Sequence, residues 1–123
     1  MTDYSKLSDF EINCEVLAVF NPDIKHMSLS GDNSCFYDCG PTGDGWNQID
    51  IPDYCNNPAD AWPIIASKKI CIAFDVFAEP DDGGGWVASP AYYIEGERIR
   101  HDNPLRAAMI VYLMMQDASH ANS

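Results

Sequence analysis

A basic segment, residues 98–106, carries the side chains best suited to bind a ligand, and it lies directly before the last predicted helix. Arg106 falls in the first turn of that helix, where unpaired N–H groups and a partial positive charge make a cation unfavourable. Either a small anion such as a nucleotide phosphate sits there, or Arg106 pairs with an acid such as Asp60 or Asp102. The excess of carboxylates favours the pairing. The candidate ligands of an anion are Arg100, His101, Asn103 and Arg106.

A polar turn with a large aromatic residue, residues 56–62, is the second candidate binding element. Asn and Asp side chains satisfy backbone groups in turns, and a tryptophan can simply fill the core. The functional interpretation makes Asn56, Asn57 and Trp62 one wall of a ligand or partner site. We favour the structural interpretation, because a helix entry that contains Pro58 and Pro63 already requires such residues.

The common catalytic signatures are absent from the sequence. There is no Gly-x-Ser-x-Gly elbow, no phosphate-binding loop that ends in Lys-Ser/Thr, and no His-Glu-x-x-His pair. The three glycines at 83–85 are followed by Trp86 and indicate a hairpin turn. We therefore predict no catalytic residues, and keep as the alternative a small enzyme that acts on a nucleotide-like substrate with His101 as base.

The cysteines do not form a recognisable metal or disulfide pattern. Five cysteines are an odd number, and Cys35 and Cys39 with His26 nearby lack the second close pair of a structural zinc site. The sequence thus predicts reduced thiols, no metal and no cofactor.

The charge of the chain is strongly negative, with 19 acidic against 7 basic residues and a net charge of −12. Nucleic-acid binding needs clustered cations, so we expect no direct contact with DNA or RNA. An acidic surface suits a basic partner protein, although we favour solubility as the explanation of the charge. No Lys or Arg occurs between His26 and Ser67, a region that contains Asp32, Asp38, Asp44, Asp50, Asp53 and Asp60.

The length of 123 residues and the apolar content of 46% suit a single domain, residues 1–123, with 118–123 as a frayed tail. No apolar run is long enough to cross a membrane, and the polar start lacks a secretion signal, so we expect a cytoplasmic protein.

Periodicity and turn signals predict an α+β fold in which one antiparallel sheet of about four or five strands packs with three helices. Ser8 and Glu11 form a capping box at the first helix, and Asp60 is the expected cap of the second. Asn103 is the expected cap of the third helix. That helix is apolar on nearly every side, so we expect it to be buried between the sheet and the first helix. The strand at 70–77, apolar on both faces, is expected in the centre of the sheet. The predicted helices cover residues 8–20, about 61–68 and 103–117, and the strands 27–30, 34–39, 46–51, 70–77 and 86–94.

Three segments carry a family resemblance: residues 3–13, residues 54–65, and the helix from Asn103 to Asp117. Together they resemble the NinX-like family of small bacteriophage proteins, a domain of unknown function. The resemblance implies a phage accessory protein in the cytoplasm of the host bacterium, and it supplies no catalytic residue. The expected function is a non-enzymatic binder of a host factor or host defence, through the acidic surface or a small anionic-ligand site.

Overall fold

The structure is a computed structural model that describes residues 3–39, 45–91 and 98–121. Helix α1 (Asp9–Phe20) begins where the sequence predicts it. The Ser8 side chain accepts a hydrogen bond from the backbone N–H of Glu11, and the Glu11 carboxylate accepts one from the N–H of Ser8. The predicted capping box is therefore confirmed. Ile12 and Val16, on the apolar face of the helix, are fully buried.

Helix α3 (Pro104–Ala121) also starts at its predicted cap. Asn103 Oδ1 accepts hydrogen bonds from the backbone N–H groups of Leu105 (3.0 Å) and Arg106 (3.3 Å). The helix runs through residues 118–121, which the sequence analysis assigned to a frayed tail.

Helix α2 (Pro58–Lys68) begins one turn earlier than predicted. Asn57 is its cap and accepts a hydrogen bond from the N–H of Ala59 at 3.0 Å. Asp60, the expected cap, instead accepts a hydrogen bond from the N–H of Asp53 at 3.1 Å. The prediction placed Pro63 in the first turn, where its missing N–H costs little, yet Pro63 lies beyond that turn in the structure. The first turn is instead occupied by Pro58, whose fixed φ favours a helix start.

The first antiparallel sheet contains β1 (Ser28–Leu29), β2 (Cys35–Asp38) and β3 (Asn47–Asp50) in the order β1-β2-β3. Phe36 of β2 is paired with Ile49 of β3, and both pack against the hydrophobic core. This face attaches the small sheet to the rest of the domain.

The second antiparallel sheet contains β4 (Ile70–Phe74), β5 (Trp86–Pro90) and β6 (Ile99–His101) in the order β4-β5-β6. The described residues thus form two three-stranded sheets, and the prediction of one sheet with four or five strands was wrong. The predicted central strand, β4, is an edge strand, since it pairs with β5 alone. Pro90 is the last residue of the central strand β5 and lies beyond the residues that pair with β6. Its missing N–H therefore removes no hydrogen bond to β6.

The core forms around α3, which contacts all three strands of the second sheet on one side and α1 and α2 on the other. This confirms the predicted burial of the helix between a sheet and α1. Met109 and Val111 are fully inaccessible to solvent, and Tyr112 is 1% exposed.

The loop between β4 and β5 packs closely on the end of β6. Gly84 has φ +135°, and a Cβ added there would overlap the backbone of His101 and Asp102, with the His101 oxygen at 2.7 Å. Gly84 therefore permits a close approach of two backbones that no side chain would allow. Residues 92–97, which include the end of the predicted strand 86–94, lie outside the described part of the chain.

Replacement of Gly84 by Ala should destabilise the domain by about 3 kcal/mol or more, because backbone strain adds to the overlap with β6. Gly83→Ala is the matched control for strain: it has φ +97° and no atom within 4 Å, and we expect a loss of about 1–2 kcal/mol. Urea unfolding of the two variants measures the difference. Equal losses would show that the close approach contributes nothing.

Candidate functional site

Arg106, the residue that opposes the dipole of α3, is buried and paired inside the protein. Its side chain is 8% exposed, and Nη1 lies 2.7 Å from Asp9 Oδ1. Nη2 donates hydrogen bonds to the backbone oxygens of Leu7 (2.6 Å) and Ser5 (3.2 Å). The structure therefore shows the predicted pairing with an acid, and that acid is Asp9 rather than Asp60 or Asp102.

Asn103 joins the start of α3 to the segment that precedes α2. While its oxygen caps the helix, its Nδ2 donates hydrogen bonds to the backbone oxygen of Cys55 (2.7 Å) and to Asn56 Oδ1 (3.1 Å). The side chain thus uses both its donor and its acceptor within the fold.

Further hydrogen bonds extend these contacts from Asn56 to α1. Asn56 Nδ2 donates to Asp9 Oδ2 (3.3 Å) and to Asp53 Oδ1 (3.2 Å). Asn13 Nδ2 also donates to Asp53 Oδ1, and Asn13 Oδ1 accepts the N–H of Cys55, both at 3.1 Å. These polar residues connect α1, the turn before α2 and the start of α3. We call them the junction network: Asp9, Asn13, Asp53, Asn56, Asn103 and Arg106.

The carboxylate of Asp9 is held in its charged form. Burial disfavours ionisation, but hydrogen bonds from Arg106 and Asn56 outweigh it, and the pKa of the Asp9 carboxyl lies below its ordinary 3.8. Arg106 and Asp9 therefore form an ion pair at neutral pH, which compensates for the cost of placing a guanidinium beside the helix start.

Two other candidate ligands of the basic segment, Arg100 and His101, are also engaged in contacts within the protein. Arg100 donates from Nη2 to Asp75 Oδ2 (3.0 Å) and from Nη1 to the oxygen of Gly84 (3.1 Å). His101 Nδ1 accepts the backbone N–H of Asn103 at 2.9 Å. In the neutral ring the proton is then on Nε2. The nitrogen that remains available to a ligand, Nε2, is therefore a hydrogen-bond donor.

The candidate residues of the polar turn separate in the structure. Asn56 belongs to the junction network, whereas the side chain of Asn57 caps α2. Trp62 is 62% exposed on α2, so it does not fill the core. The structure brings Asn56, Asn103 and Arg106 together around Asp9, and it uses Arg100 to tie β6 to the β4–β5 loop. Ligand binding by these residues stays a prediction.

Three members of the junction network, Asp9, Asn13 and Asp53, were not predicted from the sequence as site residues. The one available signal was Asn13, which follows Ile12 on the face of α1 that turns to the core and is 7% exposed. A polar residue at a core position requires a buried hydrogen-bond partner, and the Asn13 amide bonds to Asp53 and Cys55 provide it.

All five cysteines are free thiols, as the sequence predicts. Burial raises the pKa of the Cys55 thiol to about 12, so the thiol is protonated at neutral pH. Within residues 3–39, 45–91 and 98–121, no three His, Cys, Asp or Glu side chains are grouped so as to hold a metal ion.

None of the helices that the structure describes combines the length and the apolar character needed to span a bilayer.

Comparisons with known proteins give a structural neighbour and a family. The fold is similar to that of the crystal structure of a phage protein from Bacillus cereus, with a TM-score of 0.52 and 12% identity over 94% of this chain and 93% of that chain. At this identity the likeness concerns the fold alone. No curated protein matches the sequence. The family described as bacteriophage P22, NinX, matches residues 3–116, and the chain therefore belongs to the NinX family of phage proteins.

Proposed function

We propose that this phage protein is a non-enzymatic binder that acts in the host cytoplasm on a basic host protein, through its acidic surface. The observation that carries the proposal is the internal pairing of Arg106 with Asp9, together with that of Arg100 with Asp75. These pairs use the cations that an anionic ligand would need. The remaining surface keeps the excess of negative charge, which attracts a basic partner.

The acidic surface is defined here as Asp32, Asp38 and Asp50 of the first sheet and its turn, all exposed, together with Asp44, which lies outside the described residues. Hydrogen bonds from the side chains of Ser34 and Ser30 hold the pKa of the Asp32 carboxyl below its ordinary value, so it is charged at neutral pH. Asp32 and Asp50 lie at the same end of the sheet, because Ser34, whose N–H bonds to Asp32, accepts the N–H of Ile51.

The small anionic-ligand site receives less support from the geometry. The N–H groups of Leu105 and Arg106 at the start of α3 are already bonded to Asn103, and three polar contacts hold the Arg106 guanidinium. The alternative of an enzyme with His101 as base is disfavoured for a related reason. The lone pair of a neutral His101 is on Nδ1, which accepts the N–H of Asn103.

The test is the salt dependence of binding to a partner captured from infected cells. If the attraction is electrostatic, the association rate should fall by about 10-fold to 1,000-fold between low and high salt. Replacement of the four aspartates of the acidic surface by Asn should mimic high salt. Two double variants give a matched comparison. Asp32→Asn with Asp50→Asn removes two charges from the acidic surface, and Glu15→Gln with Asp23→Asn is the control that removes the same charge elsewhere.

Two outcomes would contradict the proposal. A partner whose affinity responds neither to salt nor to these substitutions would leave the charge with a role in solubility alone. A nucleotide that raises the melting temperature of the wild type, but not of Arg106→Gln, would support the anionic-ligand site instead.

A further inference from the structure

Three large apolar side chains lie exposed at the end of β4 and in the turn that follows it. Phe74 is 56% exposed, Val76 73% and Phe77 86%. We call them the Phe77 patch. Single exposed apolar residues are ordinary, but neighbouring aromatic and branched side chains of this exposure are characteristic of interaction surfaces.

The turn that presents the patch is held by specific contacts to the loop before β5 and to β6. The N–H of Asp75 donates to the oxygen of Gly85 (2.7 Å), and Asp75 Oδ1 accepts the N–H of Phe77 (3.0 Å). Asp75 Oδ2 accepts a hydrogen bond from Arg100 at 3.0 Å. Phe77 is thus fixed in an exposed position, so binding through it would require little further ordering of the backbone.

A cleft of about 500 Å³ opens beside the patch. Phe74 forms part of its wall and packs edge-to-face with Trp86, at a centroid distance of 5.1 Å. Pro80 and the three glycines of the β4–β5 loop also line the cleft; Gly85 lies against the Phe74 ring, and Gly84 is fixed against β6. The cleft can accept an apolar side chain from a partner.

The rim of this cleft is acidic. Glu79 and Asp102 line the cleft itself, and Asp81 and Asp82 belong to the same loop; all four are exposed. Arg100, which reaches this loop, is already paired with Asp75. An apolar centre with a negative rim is complementary to an apolar side chain flanked by Lys or Arg.

We infer that the Phe77 patch and its cleft dock a basic segment of a partner protein, with an apolar anchor in the cleft and Lys or Arg against the acidic rim. This inference rests on the proposed function, a basic host protein as partner, and adds a second contact surface on the second sheet to the acidic surface of the first. A second copy of the chain carries the same acidic rim, and nucleic acids and anionic membranes are negative as well, so charge repulsion disfavours all three.

The experiment is a titration of the isotope-labelled protein, followed by amide NMR shifts, with a synthetic peptide Lys-Lys-Leu-Phe-Lys-Lys. We expect shifts concentrated at residues 74–77 and 83–86, and weaker binding as salt rises. The peptide Lys-Lys-Ser-Ser-Lys-Lys, which lacks the anchor, should bind at least about tenfold more weakly.

Two substitutions separate the apolar and charged contributions. Phe77→Ser should weaken the anchored peptide by about tenfold or more, whereas Val19→Ser, at an exposed apolar position on α1, should leave its affinity unchanged. Glu79→Gln combined with Asp81→Asn should reduce both the affinity and its dependence on salt.

The inference is overturned if the anchored peptide does not bind, if both peptides bind equally, or if Phe77→Ser has no effect. In those cases salt-sensitive binding of a host partner to the acidic surface would still support the proposed function. Shifts of the same amides with duplex DNA or with anionic vesicles, but not with the peptide, would assign the patch to another class of partner.

Discussion

Met109→Asp should leave the chain unfolded at 25 °C. Met109 lies on α3 with no exposed surface, between the second sheet and the helices α1 and α2. An aspartate there would be buried without a partner, which costs about 4–5 kcal/mol or more, comparable to the whole stability of a small domain. Far-UV circular dichroism and urea unfolding measure the loss. Leu113→Asp, on the same helix and 3% exposed, should have the same effect.

The control for this prediction is an aspartate on the same helix at an exposed position, Ser119→Asp. It adds the same charge to α3, and we expect the stability to change by less than about 0.5 kcal/mol. Cooperative unfolding of Met109→Asp with an unchanged midpoint would be incompatible with the central position of α3.

Arg106→Gln should lower the free energy of unfolding by about 3 kcal/mol in the absence of any ligand. The substitution leaves Asp9 without its cation and removes the donors to the backbone oxygens of Ser5 and Leu7. This loss of stability is at the low end of the range for breaking a buried ion pair, because the Asp9 side chain is 43% exposed and water can solvate its carboxylate once the guanidinium is gone. Urea unfolding measures the loss.

Lys6→Gln is the control for this pair. Lys6 lies 3.9 Å from Asp3 on the surface, with 81% and 57% of the two side chains exposed, and its removal should have no measurable effect. In a double-mutant cycle, the variant that combines Arg106→Gln with Asp9→Asn should lose less stability than the sum of the two single losses. If the two losses simply add, the ion pair does not stabilise the fold.

The contribution of Asp9 should also depend on pH. The pKa of the Asp9 carboxyl is lower in the folded protein than its ordinary value of 3.8. Its contribution to the free energy of unfolding is therefore complete above pH 3.8 and is lost as the pH falls through the lower pKa of the folded state. The advantage of the wild type over Asp9→Asn should therefore shrink in acid. A constant difference between the two proteins from neutral pH to acid would exclude this ion pair as its source.

Features set by neighbouring residues were predictable from the sequence. The capping box of Ser8 and Glu11 and the Asn103 cap depend on contacts within three residues, and both are present. The apolar surface all around α3 likewise requires partners on several sides, and the sequence therefore predicted its burial. The start of α2 was wrong because two prolines allowed two helix registers, and Asp60 took a partner, Asp53, outside the helix.

Features that depend on distant contacts were decided only by the tertiary structure. The partner of Arg106 is 97 residues away, and nothing in the local sequence distinguishes Asp9 from the other acids. The sequence of β4, apolar on both faces, predicted a central strand, but among the described strands it pairs with β5 alone, so it is an edge strand and Phe74 is exposed. The sequence thus determined where α1 and α3 begin and that α3 is buried, because those are local or compositional requirements. The ion pair, the division into two sheets and the exposed Phe77 patch followed from which distant segments came into contact.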